Sequence, residues 1–401
     1  MIPKLRFKGF SGEWNSHQLG DIASFQKGKG ISKADIEAEG SSKCIRYGEL
    51  YTEYNEVIDT VVSKTNQPIT ESVVSEKGDV LIPASGETAI DMATACSLQF
   101  DDIILGGDIN VIRPAKKVYS ELIAYSLSHS KRIQLARVAQ GNSVVHIYGK
   151  HLSKLKIELP NTEEEVYAIK KILKSVNDKI NLLTKKKEAL ETYTKGLMQK
   201  IFSQELRFKR EDGTDYPEWR RVKLGDIQEF KNGRPTEPYW CEDGKYEVIT
   251  LNSVSIKGEL KASGRTTDFY DNSLRKGDLV MVLSDIAHAN LLGLCDVIPN
   301  EGFILNQRMG RLRVAVEIDP YFLRYAINRQ QKYFKRRGQG TSQKHIYQRD
   351  VDSLTIELPC LDEQIKITET LKSIDLVTKR IYDAVSQTSK MKKGLLQQMF
   401  A

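Results

Sequence analysis

The feature that most constrains this chain is an internal repetition. "QGNSVVHIYGKHLSKLKIELP" (Gln140 to Pro160) returns as "QGTSQKHIYQRDVDSLTIELP" (Gln339 to Pro359). "LRFKGFSGEW" with "LGDI" (Leu5 to Ile22) returns as "LRFKREDGTDYPEW" with "LGDI" (Leu206 to Ile227), "EKGDVLIP" (Glu76 to Pro83) as "RKGDLVMV" (Arg275 to Val282), and "KGLMQKIF" (Lys195 to Phe202) as "KGLLQQMF" (Lys393 to Phe400). Order and spacing hold throughout, so the chain is a duplication of a unit of about 200 residues, too long for a solenoid period and suited to tandem domains.

Each unit changes texture once. Its first part mixes short Val-, Ile- and Tyr-rich runs and Gly/Asp turn signals with helical stretches such as "SELIAYSLSHSKRIQLARVA" (Ser120 to Ala139) and "DPYFLRYAINRQQKYFKRR" (Asp319 to Arg337), which predicts an α+β domain. After Pro160 and Pro359 the strand signals stop and a heptad begins. Steps of four and three from Ile169 reach Leu173, Val176, Ile180, Leu183, Lys187, Leu190, Thr194, Leu197 and Ile201. From Ile367 they reach Leu371, Ile374, Thr378, Ile381, Val385, Thr388, Lys392, Leu395 and Met399.

Two amphipathic helices of about 40 residues, roughly 60 Å each, therefore follow the two domains. An apolar seam of that length needs a partner, and the other copy is at hand. Antiparallel pairing brings the end of the first helix beside the start of the second, where the second domain attaches. The expected architecture is α+β: two tandem domains, residues 1–161 and 204–360, joined by helices 162–203 and 361–401 in an antiparallel coiled coil with pseudo-two-fold symmetry. Ile169, Leu173, Val176, Ile180, Leu183 and Leu190 would pair with Ile367, Leu371, Ile374, Ile381 and Val385. The polar seam positions Lys187, Thr194, Thr378, Thr388 and Lys392 read as solvent-facing or register-setting, with docking of other subunits as the alternative. Thr162 and Glu165 form a capping box for the first helix, and Asp362 is a substitute for the second. Gly196 and Gly394 imply a close backbone approach or an early helix end.

Composition narrows the function class. With 40% hydrophobic and 28% charged residues and no apolar run near the roughly 18 residues that span a bilayer, a membrane protein is excluded. The N-terminal stretch lacks a secretory apolar core, so a cytoplasmic location is expected. Five scattered cysteines, Cys44, Cys96, Cys241, Cys295 and Cys360, read as buried free thiols, not as a disulfide framework or a zinc site. The net charge of +7 is compatible with a polyanionic partner without identifying one.

Catalytic signatures are missing. There is no Pro-Pro dipeptide, so the loop with which amino-methylating enzymes grip a flipped base is absent, and G-x-x-x-x-G-K-[ST], H-E-x-x-H and G-x-S-x-G are absent too. "KGKGISK" (Lys27 to Lys33) has no dinucleotide-type helix behind it. His146 and His345, matched in "HIY", read as strand-entry residues hydrogen-bonded through one ring nitrogen, with Ile147 and Ile346 buried. No catalytic residue and no metal ligand is assigned.

The loops before those histidines are small, polar and Gly-hinged, able to offer N–H groups and hydroxyls to phosphate oxygens, although plain turns explain them equally. Gln140, Asn142 and Ser143 in the first, with Gln339, Thr341, Ser342 and Lys344 in the second, adjoin the basic helical stretches containing Arg132 and Arg336.

The matched "HIY" and "IELP" phrases, the heptad helices behind them and the "KGLLQQMF" ending resemble the DNA-specificity subunit of type I restriction-modification systems, over nearly the whole chain. The resemblance implies two target recognition domains, each reading half of a split double-stranded DNA target, with the helices as a ruler. It implies two modification subunits that methylate adenine with S-adenosylmethionine, and motor-nuclease subunits that cleave with ATP and Mg; no cofactor falls to this chain. Recognition surfaces about 34 Å apart would follow one turn of duplex. Each would read three to four base pairs, at about 1–3 kcal/mol per pair. Because the domain interiors differ, the half-sites should differ. The reading residues should lie on loops unlike between the halves: Lys27, Lys29, Lys33, Ser85, Glu87 and Thr88 in the first, Asn232, Arg234, Ser284, Asp285, His288 and Arg308 in the second. A stand-alone methyltransferase or nuclease, and a scaffold that never touches DNA, remain the alternatives.

Overall fold

A computed structural model describes residues 2–141, 145–286 and 288–400. It divides into two compact units, Met1–Lys186 with Ile381–Ala401, and Lys187–Arg380. The cut falls within the long helices, so each unit holds an α+β domain and one end of each helix.

In the first unit the strands that frame the site are β1 (Asn15–Gln18), β2 (Ala23–Lys27), β3 (Val80–Pro83), β4 (Ser85–Gly86), β5 (Cys96–Leu98), β6 (Ile109–Pro114), β7 (Val145–His146) and β8 (Lys156–Leu159), besides the shorter Ser42–Ile45, Val57–Ile58, Ser63–Thr65 and Ile104–Leu105. The central sheet runs β2-β6-β3-β5 with Val57–Ile58 beyond β5. Strand alternation explains why "VLIP" reads as a continuous apolar run. Val80, Ile82 and Ile112 face a core shared with helix α1 (Ser120–Ser128), while Leu81, Ile109 and Val111 face a second core with Ile45, Leu50 and Ile58. A sheet buried on both faces has no polar alternation to show.

The second unit repeats the plan with β9 (Arg220–Lys223), β10 (Gln228–Asn232), β11 (Leu279–Val282), β12 (Ser284–Ile286), β13 (Cys295–Val297), β14 (Met309–Val314), β15 (Gln343–His345) and β16 (Thr355–Leu358), in central order β10-β14-β11-β13. Leu279, Met281 and Leu312 face a core with Phe322, Leu323 and Ile327; Val280, Val282 and Met309 face one with Ile249, Val254 and Leu305.

The long helices run Glu163–Phe202 (α2) and Leu361–Met399 (α4), with α3 (Pro320–Asn328) between them. Val166, Ile169 and Leu173 at the start of α2 share the first unit's core with Leu396, Met399 and Phe400. Ile201 and Phe202 at the end of α2 share the second unit's core with Ile367 and Leu371. The start of one helix thus lies with the end of the other in both units, which is the antiparallel arrangement. Val176 and Ile381 are buried, whereas Ile180, Leu183, Leu190, Ile374 and Val385 are half-buried.

The repeated phrases turn out to be structural joints. Glu165, in the first turn of α2, accepts from Arg6 Nε (2.7 Å), Arg6 Nη2 (2.8 Å) and Trp14 Nε1 (3.1 Å). Glu363, in the first turn of α4, accepts from Arg207 Nε (3.3 Å), Arg207 Nη2 (2.9 Å) and Trp219 Nε1 (3.0 Å). Both carboxylates are buried. "LRF…W" is therefore a clamp that fixes each domain to the start of its helix. In "KGD", Gly78 (φ +91°) and Gly277 (φ +90°) take the left-handed conformation that closes the turn. Asp79 then accepts from Glu76 N and, two-pronged, from Arg113, and Asp278 does the same with Arg275 N and Arg313.

Several expectations change. Only half of the capping box forms: Thr162 accepts from Glu165 N at 3.4 Å, but the Glu165 side chain is taken by the clamp. Asp362 lies inside α4 and is no cap. The helices continue through Gly196 and Gly394, and a Cβ at either would meet nothing within 4 Å, so neither marks a close approach or a helix end. Thr388 is buried and donates to Ala384 O. Lys392 is not solvent-facing: it bonds Glu56 at 2.6 Å, and Glu56 also meets His129 Nε2 at 2.5 Å. Burial pushes the Glu56 carboxyl up, but the His129 hydrogen bond and the Lys392 ammonium outweigh it and hold the group at about 2. Cys44, Cys96 and Cys295 are buried free thiols, with burial raising Cys44 to about 11, while Cys241 is exposed and Cys360 half-buried.

Candidate nucleic-acid interface

In each unit four chain segments meet at one end of the central sheet, and main-chain hydrogen bonds show it. In the first, Gly28 N, just past β2, donates to Ile109 O (2.9 Å), Ala84 N to Asp108 O (2.7 Å) and Ile147 N to Ala84 O (3.0 Å). In the second, Gly233 N donates to Met309 O (2.9 Å), Leu283 N to Arg308 O (3.0 Å) and Ile346 N to Leu283 O (2.9 Å). The glycines are required. A Cβ on Gly28 would collide with Gly106 O, and one on Gly233 with Asn306 O. Gly28 of "KGKGISK" thus serves packing between chain segments.

The loops before the matched histidines form a ribbon at this end. Gln140 and His146 exchange both main-chain hydrogen bonds, as do Gln339 and His345. β7 pairs with β4, His146 opposite Ser85, and β15 pairs with β12, His345 opposite Ser284 and Lys344 opposite Asp285. Ile147 and Ile346 are buried. Among the described residues neither histidine ring has a hydrogen-bond partner of the expected kind; His146 stacks on Tyr148 with centroids 6.2 Å apart.

Most loop residues singled out from sequence gather here. In the first unit Lys27, Lys29, Glu87, Thr88, Arg132 and Gln140 are exposed. Arg132 Nη2 donates to Ile90 O (3.0 Å), bringing the basic helix Arg132–Arg137 against the Thr88 loop, and Thr88 caps the turn by accepting from Asp91 N. Lys33 stands apart, on a turn that Asp35 ties to Gln67. In the second unit Asn232, Arg234, His288, Arg308, Arg336, Gln339, Thr341 and Ser342 are exposed and Lys344 half-buried. Arg336, Arg337 and Arg349 line a groove of 440 Å³ with Gly338, Gln339, Asp350 and Ser353.

Three readings shift. Ser85, Ser284 and Asp285 are buried in the strands of the ribbon, and the Asp285 carboxylate accepts from Ile286 N and Leu291 N. They shape the loops and do not face outward. The alternation of "ASGE" and "LSDI" is too short to reveal a strand there. Asn142 and Ser143 lie outside the described residues.

The duplicated frame holds unlike charges. Asp108 occupies the position that accepts from Ala84 N, and its carboxylate pairs with Lys27 at 3.1 Å; the corresponding position, accepting from Leu283 N, is Arg308. After the buried-side glycine comes Lys29 in one unit and Arg234 in the other. The second unit also carries an aromatic group that the sequence alone does not single out: Phe269 stacks on Tyr239 at 4.6 Å between centroids, and Arg265 lies over Trp240 at 5.0 Å. Widely separated aromatics in loops carry no periodicity, so only the fold could join them. Among the described residues, no cluster of three or more His, Cys, Asp or Glu is placed to hold a metal, and no helix is long and apolar enough to cross a membrane.

The family described as the type I restriction modification DNA specificity domain matches residues 11–192 and 216–387. The chain is similar to the type I restriction enzyme MjaVIII specificity subunit of Methanocaldococcus jannaschii, 28% identical over 96% of this chain and 91% of that one. It is similar to the putative MjaX specificity subunit of the same organism, 26% identical over 73% of this chain and 70% of the other. Among solved structures, the S subunit of a type I system from M. genitalium matches with a TM-score of 0.70 at 16% identity, covering 100% of this chain and 99% of that chain.

Proposed function

Because the chain belongs to the type I restriction-modification DNA specificity family and so serves DNA target recognition, we propose that its two units read the unlike halves of one split, asymmetric duplex target. One observation carries this reading. The same four segments meet at the same end of the sheet in both units, but Asp108 faces out of one where Arg308 faces out of the other. Similar frames with opposite charge at matched positions suit two different half-sites on a pseudo-symmetric duplex.

The reactions fall to partners. We assign adenine methylation with S-adenosylmethionine to two modification subunits, and ATP- and Mg-dependent cleavage to motor-nuclease subunits, all in the cytoplasm. This chain directs them. The long helices set the unread spacer between the half-sites, and exposed residues along them are available to hold the modification subunits.

The test is selection of bound duplexes from a random library by the chain assembled with its modification subunits. A split, asymmetric consensus is expected, with affinity that falls steeply with salt. Exchanging residues 1–160 for those of another family member should change one half-site only, and deleting one heptad from both helices should move the spacer or abolish binding. A change in both half-sites, or an unmoved spacer, would refute independent reading or the ruler respectively.

A further inference from the structure

We propose that Arg234 reads a guanine in the half-site of the second unit, and that Asp271 and Phe269 position it for that purpose; this rests on the DNA-reading assignment above. Arginine meets guanine O6 and N7 with two parallel N–H groups, a geometry that requires the guanidinium plane to be fixed. Contact with a phosphate needs no such fixing. The arginines in the second unit's outward loops differ in this respect.

Arg234 is held at three levels. Its main chain is bridged to Asn306 beside Gly233, and Asn306 donates its amide to Thr236 Oγ1 (2.9 Å) and Glu237 Oε1 (3.0 Å), which fixes the following turn. Its Nε lies 3.1 Å from Asp271 Oδ2, on a carboxylate that is 3% exposed. Asp271 is itself anchored by Ser273 N (3.0 Å) and Ser273 Oγ (2.6 Å). The guanidinium carbon lies 6.0 Å from the Phe269 ring centre, and Phe269 is backed by Tyr239. The arginine side chain nevertheless remains 51% exposed. Asp271 holds the guanidinium by an ion pair on its Nε side, and neither terminal nitrogen makes a hydrogen bond among the described residues.

The contrasts within the chain sharpen the assignment. Arg113 and Arg313 give both Nε and Nη2 to a single carboxylate, leaving no outward fork. Arg308 is exposed with no side-chain partner among the described residues, which suits a phosphate. In the first unit the residue after the matched glycine is Lys29, a point charge that cannot make the two-pronged contact. Glu237, the nearest exposed acid in sequence, is turned back to Asn306 and Gln307 and does not compete for the fork.

The experiment replaces each guanine of the bound target in turn by 7-deazaguanine, which removes N7 and keeps Watson–Crick pairing, and measures binding by the chain with its modification subunits. The relevant half-site is the one unaffected by exchange of residues 1–160. One guanine there should lose roughly 5- to 100-fold in affinity for the unaltered protein. With Arg234→Ala that loss should vanish and the base preference at that position should relax, while the other half-site is unchanged. Asp271→Asn removes a negative charge, so simple electrostatics predicts tighter binding. The brace predicts weaker guanine discrimination with an unchanged salt slope. The inference is overturned if no guanine of that half-site responds in the unaltered protein, a result independent of any variant's folding. It is equally overturned if Asp271→Asn keeps full discrimination. A wild-type complex with no split-site preference would instead remove the reading of DNA itself.

Discussion

Replacing Glu363 by alanine tests whether the clamps hold the domains to their helices. The carboxylate is 0% exposed and takes three hydrogen bonds, two from Arg207 and one from Trp219. Its loss leaves a guanidinium and an indole N–H facing one another across the vacated site. Removing one partner of a buried pair costs about 3–5 kcal/mol, and the 20% exposure of the Arg207 side chain allows water to reach it and places the expected value near the low end, about 3 kcal/mol. For a unit of this size that is a fall of roughly 6–12 °C in Tm. Glu363→Gln keeps one acceptor oxygen and should cost about half as much. Scanning calorimetry and urea unfolding followed by circular dichroism would read both, with Glu165→Ala as the matched change in the first unit. A loss below about 1 kcal/mol for Glu363→Ala, or equal losses for the alanine and glutamine variants, would refute the clamp.

Two further perturbations follow from the geometry. Lys392→Met leaves the buried Glu56 with His129 alone and should destabilise the first unit by about 3 kcal/mol. Because the Glu56 carboxyl is held at about 2, below its ordinary 4.5, its contribution is present above pH 4.5 and is lost as the pH falls toward 2. Without Lys392 the Glu56 carboxyl rises back toward its ordinary value, so the variant, already less stable at neutral pH, should lose less further stability between pH 4.5 and 2 in acid-unfolding curves than the unaltered protein does. The glycines divide into two kinds. Gly233→Ala forces a Cβ against Asn306 O and should abolish recognition of one half-site in selection assays, whereas Gly196→Ala, in open space on a helix, should stabilise by about 0.5–1 kcal/mol in urea unfolding.

The parts legible in the sequence are those governed by period. The heptad marks helices whose ends, Ile169 and Leu173 or Ile367 and Leu371, sit in the two cores. It does not mark where the seam opens, and Ile180, Leu183 and Leu190 are only half-buried. Lys392 is legible as a seam-breaker but not as a partner of Glu56, because that pairing spans most of the chain. The same holds for Arg6 and Glu165: their repetition is visible, but their joining needs the β1–β8 pairing that brings the chain start beside the α2 start. At the interface, exposure of Lys27, Lys29, Arg234 and Arg308 follows from charge in turn-rich segments. The burial of Ser85, Ser284 and Asp285 does not, since two- and three-residue strands carry too little alternation to read.

The distribution of repeated and unrepeated residues then acquires a physical meaning. The clamps of Arg, Trp and Glu, the Asp of "KGD" with its arginine, and the glycines at the sheet end where any Cβ would strike a carbonyl are all repeated, and all are buried or half-buried in joints between chain segments. The unrepeated residues, Asp108 against Arg308 and Lys29 against Arg234, are outward side chains whose main-chain groups make the same hydrogen bonds in both units. Since the frame is held by main-chain bonds and buried joints, an outward side chain can be exchanged at little cost in stability, within about 0.5 kcal/mol for an ordinary surface position. A braced residue is the exception. Arg234 and Asp271 must change together, because either one alone leaves a fixed charge without its partner. Change of target preference in the second unit is therefore expected to proceed through coupled substitutions at 234 and 271, and through single ones at 308.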